Sequence, residues 1–172
     1  MKSKLLLLLS FLTLVCTSLA SPAMADEAGG DMIGTSKKFG VGVGSGNHGY
    51  GLSGKYYLSA KDAVQGVVAI YPGVYGSDID VGVDYLREVG TWVNVPVGRL
   101  WWGLGAGAEA YLYKWWNSSY TSVGVVGLFE VGWHFKNIPV ELTANLRPTF
   151  FLGSDHYGGL YLYGGGSARW YF

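Results

Sequence analysis

Arg99-Leu-Trp-Trp-Gly-Leu-Gly-Ala-Gly-Ala-Glu-Ala-Tyr-Leu-Tyr-Lys-Trp115 changes character at almost every step. Leu100, Trp102, Leu104, Ala106, Ala108, Ala110 and Leu112 share one parity, whereas Arg99, Gly103, Gly105, Gly107, Glu109, Tyr111 and Tyr113 share the other. A strand turns successive side chains to opposite faces, so the stretch reads as a strand with one apolar face and one face of charges, hydroxyls and glycines.

The same rule recurs along the chain. Over Val140–Gly153, Val140, Leu142, Ala144, Leu146, Pro148, Phe150 and Leu152 oppose Glu141, Thr143, Asn145, Arg147 and Thr149. Over Ser122–Phe135, Val123, Val125, Phe129, Val131, Trp133 and Phe135 oppose Gly124, Glu130, Gly132 and His134. Over Leu160–Phe172, Leu160, Leu162, Ala168, Trp170 and Phe172 oppose Tyr161, Tyr163, Ser167, Arg169 and Tyr171. In Tyr50–Ser59, Leu52, Tyr56 and Leu58 oppose Ser53, Lys55, Tyr57 and Ser59. Three further strands are expected, near Lys37–Ser45, Val64–Tyr75 and Ile79–Val89, which makes eight separated by turn chemistry. The connections are short enough for antiparallel neighbours, and an even count lets the sheet close. The fourth strand fits least well: Val81, Val83 and Tyr85 alternate with Asp80 and Asp84, but Arg87 falls on the apolar parity. Either a bulge resets the phase there or Arg87 sits at an interface and snorkels. Gly90–Gly98, which contains Pro96, reads as a long turn or an extension of the hairpin.

The N-terminus reads as an address. Lys2 and Lys4 precede an apolar run from Leu5 to Leu19, and Ala23-Met24-Ala25 is an A-x-A cleavage site, so residues 1–25 are expected to be a removed signal peptide. Cys16 follows Val15 rather than a small residue, which argues against lipidation, and it departs with the leader, leaving no thiol or disulfide. Residues 26–36 are a polar, glycine-bearing lead-in, and 37–172 the single domain. Without Lys2 and Lys4, ten basic residues face twelve acidic ones, a net charge near −2 that gives no electrostatic case for nucleic acid. No segment beyond the leader has 18 uninterrupted apolar residues, which speaks against helical membrane spans.

A soluble barrel packs its apolar face inward and coats its outside with charge, whereas a membrane barrel does the reverse. Charged residues are 14% of this chain, too few for a soluble coat when about 25% is usual. Glycine dominates the polar face, where a narrow eight-stranded interior needs room. Aromatics near strand ends (Trp101, Trp102, Trp115, Trp116, Tyr120, Trp133, Phe135, Trp170, Tyr171) suit interfacial girdles. The expectation is an all-β, eight-stranded antiparallel up-and-down transmembrane β-barrel in a Gram-negative outer membrane.

Such a lumen holds charges that must be paired. Counting from the turns places His134 opposite Glu141, Glu141 diagonal to Arg169, and Arg147 near Glu130 and Glu109. The expected network is therefore Glu109–Arg147–Glu130 and His134–Glu141–Arg169. It either plugs the barrel and fixes its register or forms a proton or ion path, and eight strands leave little room for an open pore. Catalysis would need a hydroxyl, a base and an orienting group. Ser154, Asp155 and His156 are loop neighbours, with His48 brought near by closure; adjacency in a turn sets no triad geometry. Ser154 and His156 remain candidates for a lipid A-modifying acyl transfer or hydrolysis at the outer rim, and a narrow gated channel is a third reading. His48 and His156 have no convincing further ligand in sequence, so no metal or other cofactor is expected. Gly40-Val-Gly-Val-Gly and Gly103-Leu-Gly-Ala-Gly have period two and precede no helix, so they are not nucleotide motifs.

With its leader, its alternation and its terminal Trp170 and Phe172, the chain resembles the small outer-membrane barrels that include outer-membrane protein X and the membrane domain of outer-membrane protein A. That resemblance implies a monomer in outer-membrane lipid and lipopolysaccharide, with Trp170 and Phe172 read by the barrel assembly machinery. Ala63-Val-Gln-Gly, Asp80-Val-Gly-Val-Asp-Tyr85, Trp101-Trp-Gly-Leu-Gly-Ala-Gly107, Ile138-Pro-Val-Glu-Leu142 and Arg147-Pro148 are also similar to a family of barrels that includes a spirochaete surface protein suspected of binding complement factor H. This second likeness implies an extracellular protein ligand, although the outer loops here are short for that task. Neither resemblance supplies a catalytic residue.

Overall fold

The computed structural model describes residues 38–73, 76–115, 118–152 and 158–172. The expected leader and lead-in, like the 153–157 loop, lie outside the described residues. The strands are β1 (Phe39–Ser45), β2 (Tyr50–Tyr57), β3 (Asp62–Gly73), β4 (Gly76–Val95), β5 (Gly98–Trp115), β6 (Ser118–Phe135), β7 (Val140–Leu152) and β8 (Gly159–Tyr171). Each is antiparallel to the next, and β8 pairs with β1, so eight strands form a closed up-and-down ring. Closure pairs every strand on both sides over part of its length, while the distal borders of the longer strands, such as Gly159–Gly166 of β8, run beyond their shorter neighbours.

Alternation decides which way the faces point. Leu104, Leu142 and Phe150 are 50%, 45% and 38% exposed, whereas Glu109, Glu141 and Arg147 are 2%, 0% and 3% exposed. The ring therefore wears its apolar side chains outside and holds its charges inside, the reverse of an ordinary globular core. Among the described residues the apolar interior forms three small clusters: Tyr57, Ala63 and Tyr171; Leu86, Trp101 and Leu128; and Tyr111, Tyr113 and Phe151.

Three of the expected girdle aromatics are corrected. Trp101 and Tyr171 are not on the outer rim but fully buried inside, because both lie on the charge-bearing parity. Trp101 fits there because Gly132 faces it across the β5–β6 ladder, where a Cβ would collide with the indole ring. Tyr120, opposite Tyr113, also packs against the inner tyrosine cluster. Of the expected girdle Trp170 lies outside, Trp116 falls outside the described residues, and Phe39 and Trp92 are outer aromatics that were not singled out.

The fourth strand runs past its expected end at Val89, so of the two readings of Gly90–Gly98 the extension of the hairpin is the one seen. β4 runs through Val89 and Gly90 to Val95, and Pro96-Val97 is the turn, where the missing N–H of proline removes no ladder bond. Two register shifts against β5, at Glu88/Gly90 and Thr91/Val93, absorb the extra residues. Both come after Arg87, so no bulge rescues that residue's parity. Arg87 stays outside, opposite Asp62 in register, with a 3.3 Å ion pair between them. Smaller differences fall at strand ends: β3 starts at Asp62 rather than Val64 and β6 at Ser118 rather than Ser122.

The wall of the ring is uneven. β1 and β2 have 7 and 8 residues, while β4, β5 and β6 have 20, 18 and 18. The seams follow suit, with five register pairs joining β1 to β8 and eighteen joining β5 to β6 among the described residues. Below, the end with Lys38, Phe172 and the turns at 58–61, 96–97 and 136–139 is called the terminal end. The opposite end, where Gly46–Gly49 links β1 to β2, is the distal end.

Candidate functional site: an interior in two halves

The interior groups divide by height. At the terminal end Glu141 is the hub. Lys55 Nζ donates to its Oε1 at 2.9 Å, and His134 Nε2 lies 2.5 Å from the same oxygen. Arg169 Nη1 and Tyr171 Oη donate to Oε2 at 3.2 and 2.7 Å. Glu141 stands directly opposite His134 on β6 and Arg169 on β8, so local pairing delivers two of these partners. The Arg169 pairing is direct, not diagonal as the turn count implied.

Lys55 is the group that ties this half together, and the sequence did not single it out. Its side chain is fully buried, its ammonium also lies 3.7 Å from Glu130, and it sits 4.3 Å over the Trp101 ring. A desolvated ammonium gains from both a carboxylate and an aromatic face. Gln65 donates to Glu130 at 2.9 Å, Tyr57 Oη donates to Glu88 at 2.6 Å, and Arg99 pairs with Glu88 at 2.6 Å. Three carboxylates (Glu88, Glu130, Glu141) thus meet three cations (Lys55, Arg99, Arg169) around His134.

The distal half is built on Arg147. Its guanidinium forks onto Asp84, with Nη1 donating at 2.6 Å and Nη2 at 3.2 Å, and Nε donates to Asn47 Oδ1 at 2.9 Å. Glu109 lies 3.6 Å from Nη2. The expected Arg147–Glu130 contact gives way because Glu130 stands opposite Asn145 and is taken by Lys55 and Gln65, while Asp84 offers Arg147 a two-toothed partner across the ring.

The β1–β2 turn completes this half by folding inward over it. Asn47 donates to Glu109 and, at 2.8 Å, to Thr149. The His48 backbone N–H donates to Asp80 Oδ2 at 3.1 Å, and its ring stacks on Tyr111 with centroids 3.9 Å apart. Gly46 suits the entry to the turn, since a Cβ there would run into the Asp80 carboxylate. Among the described residues, three carboxylates (Asp80, Asp84, Glu109) here face one permanent cation, Arg147, and one imidazole.

Between the halves lies a polar cavity of about 10 Å³, lined among others by Ser53, Gln65, Asp84, Asn145, Arg147 and Arg169. That is room for about one water. All six residues of the expected network are therefore interior: His134, Glu141 and Arg169 form one contact group, Glu109 and Arg147 another, and Glu130 joins the first through Lys55. Ser154 and His156, the candidate catalytic pair, lie outside the described residues. Trp170 and Phe172 project outward, at 49% and 68% exposed. Comparison with protein-family models, with curated proteins and with solved structures finds no match for this chain.

Proposed function

We propose that the chain is an integral β-barrel of a Gram-negative-type outer membrane, monomeric and plugged, with a structural or surface-binding role and no catalysis. The observation that carries this reading is the reversed burial: a continuous outer face of Val, Leu, Ile and Phe around a ring whose interior holds the ions. In water that face would cost roughly 25 cal/mol for each Å² of apolar surface left wet. In lipid it costs nothing, and closure of the ring from β8 to β1 suits the second demand of a bilayer, that a spanning sheet leave no open edge along its whole length. The leader at residues 1–25 and the outward Trp170 and Phe172 agree with export and assembly by the barrel machinery. The partners that follow are outer-membrane lipid and lipopolysaccharide, with any extracellular protein ligand bound at the distal end.

What supports a plug rather than a pore is that, among the described residues, the space between the two ion networks is a cavity of water size. Fractionation of cells expressing the chain tests the membrane reading: the protein is expected in outer membranes and to resist alkaline carbonate extraction. Release into the soluble fraction by carbonate would refute it. In planar bilayers wild-type protein is expected to be near silent, and Arg147→Ala to raise any current. A large, steady wild-type conductance would remove the plug from the proposal.

A further inference from the structure

We propose that His48, Asp80 and Glu109 form a divalent-cation site of the zinc class at the distal end of the ring. One ligand atom from each of the three residues lies within 4.8 Å of the others. His48 Nδ1 and Glu109 Oε1 are 3.7 Å apart, too far for a good hydrogen bond. That distance is near the ~3.4 Å edge of a tetrahedron about an ion with bonds of ~2.1 Å.

Two observations beyond the clustering point to a ligand. Asp80 Oδ1 and Glu109 Oε1 accept no hydrogen bond although both residues are only 2% exposed, and such orphaned carboxylate oxygens are costly to bury. The imidazole is also held as a metal ligand is held. Its Nε2 lies 2.9 Å from the Tyr163 hydroxyl, an arrangement that lets Nε2–H donate and leaves the Nδ1 lone pair toward Glu109. Stacking on Tyr111 fixes the ring plane.

Charge bookkeeping agrees. Among the described residues, Asp84 and Glu109 pair with the one guanidinium of Arg147 and Asp80 with none, so a dication would bring this half close to the balance the other half already has. One imidazole nitrogen with two carboxylates suits Zn²⁺ better than Ca²⁺ or Mg²⁺, which want six or more oxygens. The fourth position falls to water. The Glu88–His134–Glu141 cluster is no rival, because Lys55, Arg169, Arg99, Tyr57 and Tyr171 already occupy its carboxylates. The simpler alternative is a proton shared between Asp80 and Glu109.

The inference rests on the ring and its interior, not on the membrane reading, so either can fail alone. The test is equilibrium binding of Zn²⁺, and of Co²⁺ with its visible spectrum, to the protein isolated in detergent and freed of metal by chelation. One ion per chain is expected, with a tetrahedral Co²⁺ spectrum and little competition from Mg²⁺. His48→Gln and Glu109→Gln are each expected to weaken binding at least ~100-fold, and Tyr163→Phe by ~10–100-fold. If a ligand variant does not fold, Tyr163→Phe decides. Absence of stoichiometric binding by the wild type overturns the site in favour of the shared proton, as does binding that Tyr163→Phe or both ligand variants leave unchanged.

Discussion

The two ends of the interior are made from the same residue types and reach opposite solutions. At the terminal end three carboxylates meet three cations, and Glu141 collects donors from β2, β6 and β8, so the wall is cross-braced. At the distal end three carboxylates face Arg147, and the turn at Asn47-His48 supplies the remaining contacts from above. A buried ion pair seldom adds net stability, but breaking one is expensive because the surviving charge stays buried. The terminal end is thus arranged to hold its ions in register, and the distal end to hold an excess of acid. The difference teaches that a plugged interior need not be uniformly closed to ligands.

The sharpest way to break this contrast is at the hub. Glu141→Ala strands Lys55 and Arg169 and is expected to cost ~3–5 kcal/mol, read as a lowered urea midpoint in detergent. A loss under ~1 kcal/mol would mean the cross-bracing is not there. Arg147→Ala should cost ~2–4 kcal/mol, with the loss partly restored by added Zn²⁺ if the distal acid excess is what destabilises it. Independence of the halves can be measured directly. In the cycle Tyr171→Phe with Asp84→Asn, the two effects are expected to add to within ~0.5 kcal/mol, and a larger coupling would join the networks into one. Tyr57→Phe removes the hydroxyl that donates to Glu88 and should cost about 1–2 kcal/mol. Smallest of all is Arg87→Ala. Its pair with Asp62 is on the outside and partly solvated, so less than ~1 kcal/mol is expected, and a larger effect would mean that strand end is far less wet than its exposure implies.

Much of the ring was legible because parity is a local signal. Glu141 could be placed against His134 from turn positions alone, since strand neighbours are set by counting, whereas the same count put Arg169 one step off, on the diagonal. Lys55 and Asp84 were already on the charged parity, yet their partners were invisible, because Lys55–Glu141 and Arg147–Asp84 cross the interior and no count along the chain says which side chains meet there. Trp101 failed for a different reason: composition near a strand end suggested a girdle, while its own parity, beside Gly103 and Glu109, already pointed inward. The metal-ligating set escaped because His48 lies in a turn, where alternation says nothing, and its neighbours come from β4 and β5. The length of β4 stayed open between a long turn and an extended hairpin because Gly90 and Pro96 read as breakers, whereas they serve as an irregular stretch and a turn.

The five-pair closure between β1 and β8 has a kinetic consequence. Hydrogen–deuterium exchange should be fastest at Gly40–Gly44 and slowest along the β5–β6 ladder, since the cheapest opening fluctuation parts the shortest row of bonds. A molecule parted there exposes two raw strand borders, so any propensity to swap strands with a second copy would begin at that join.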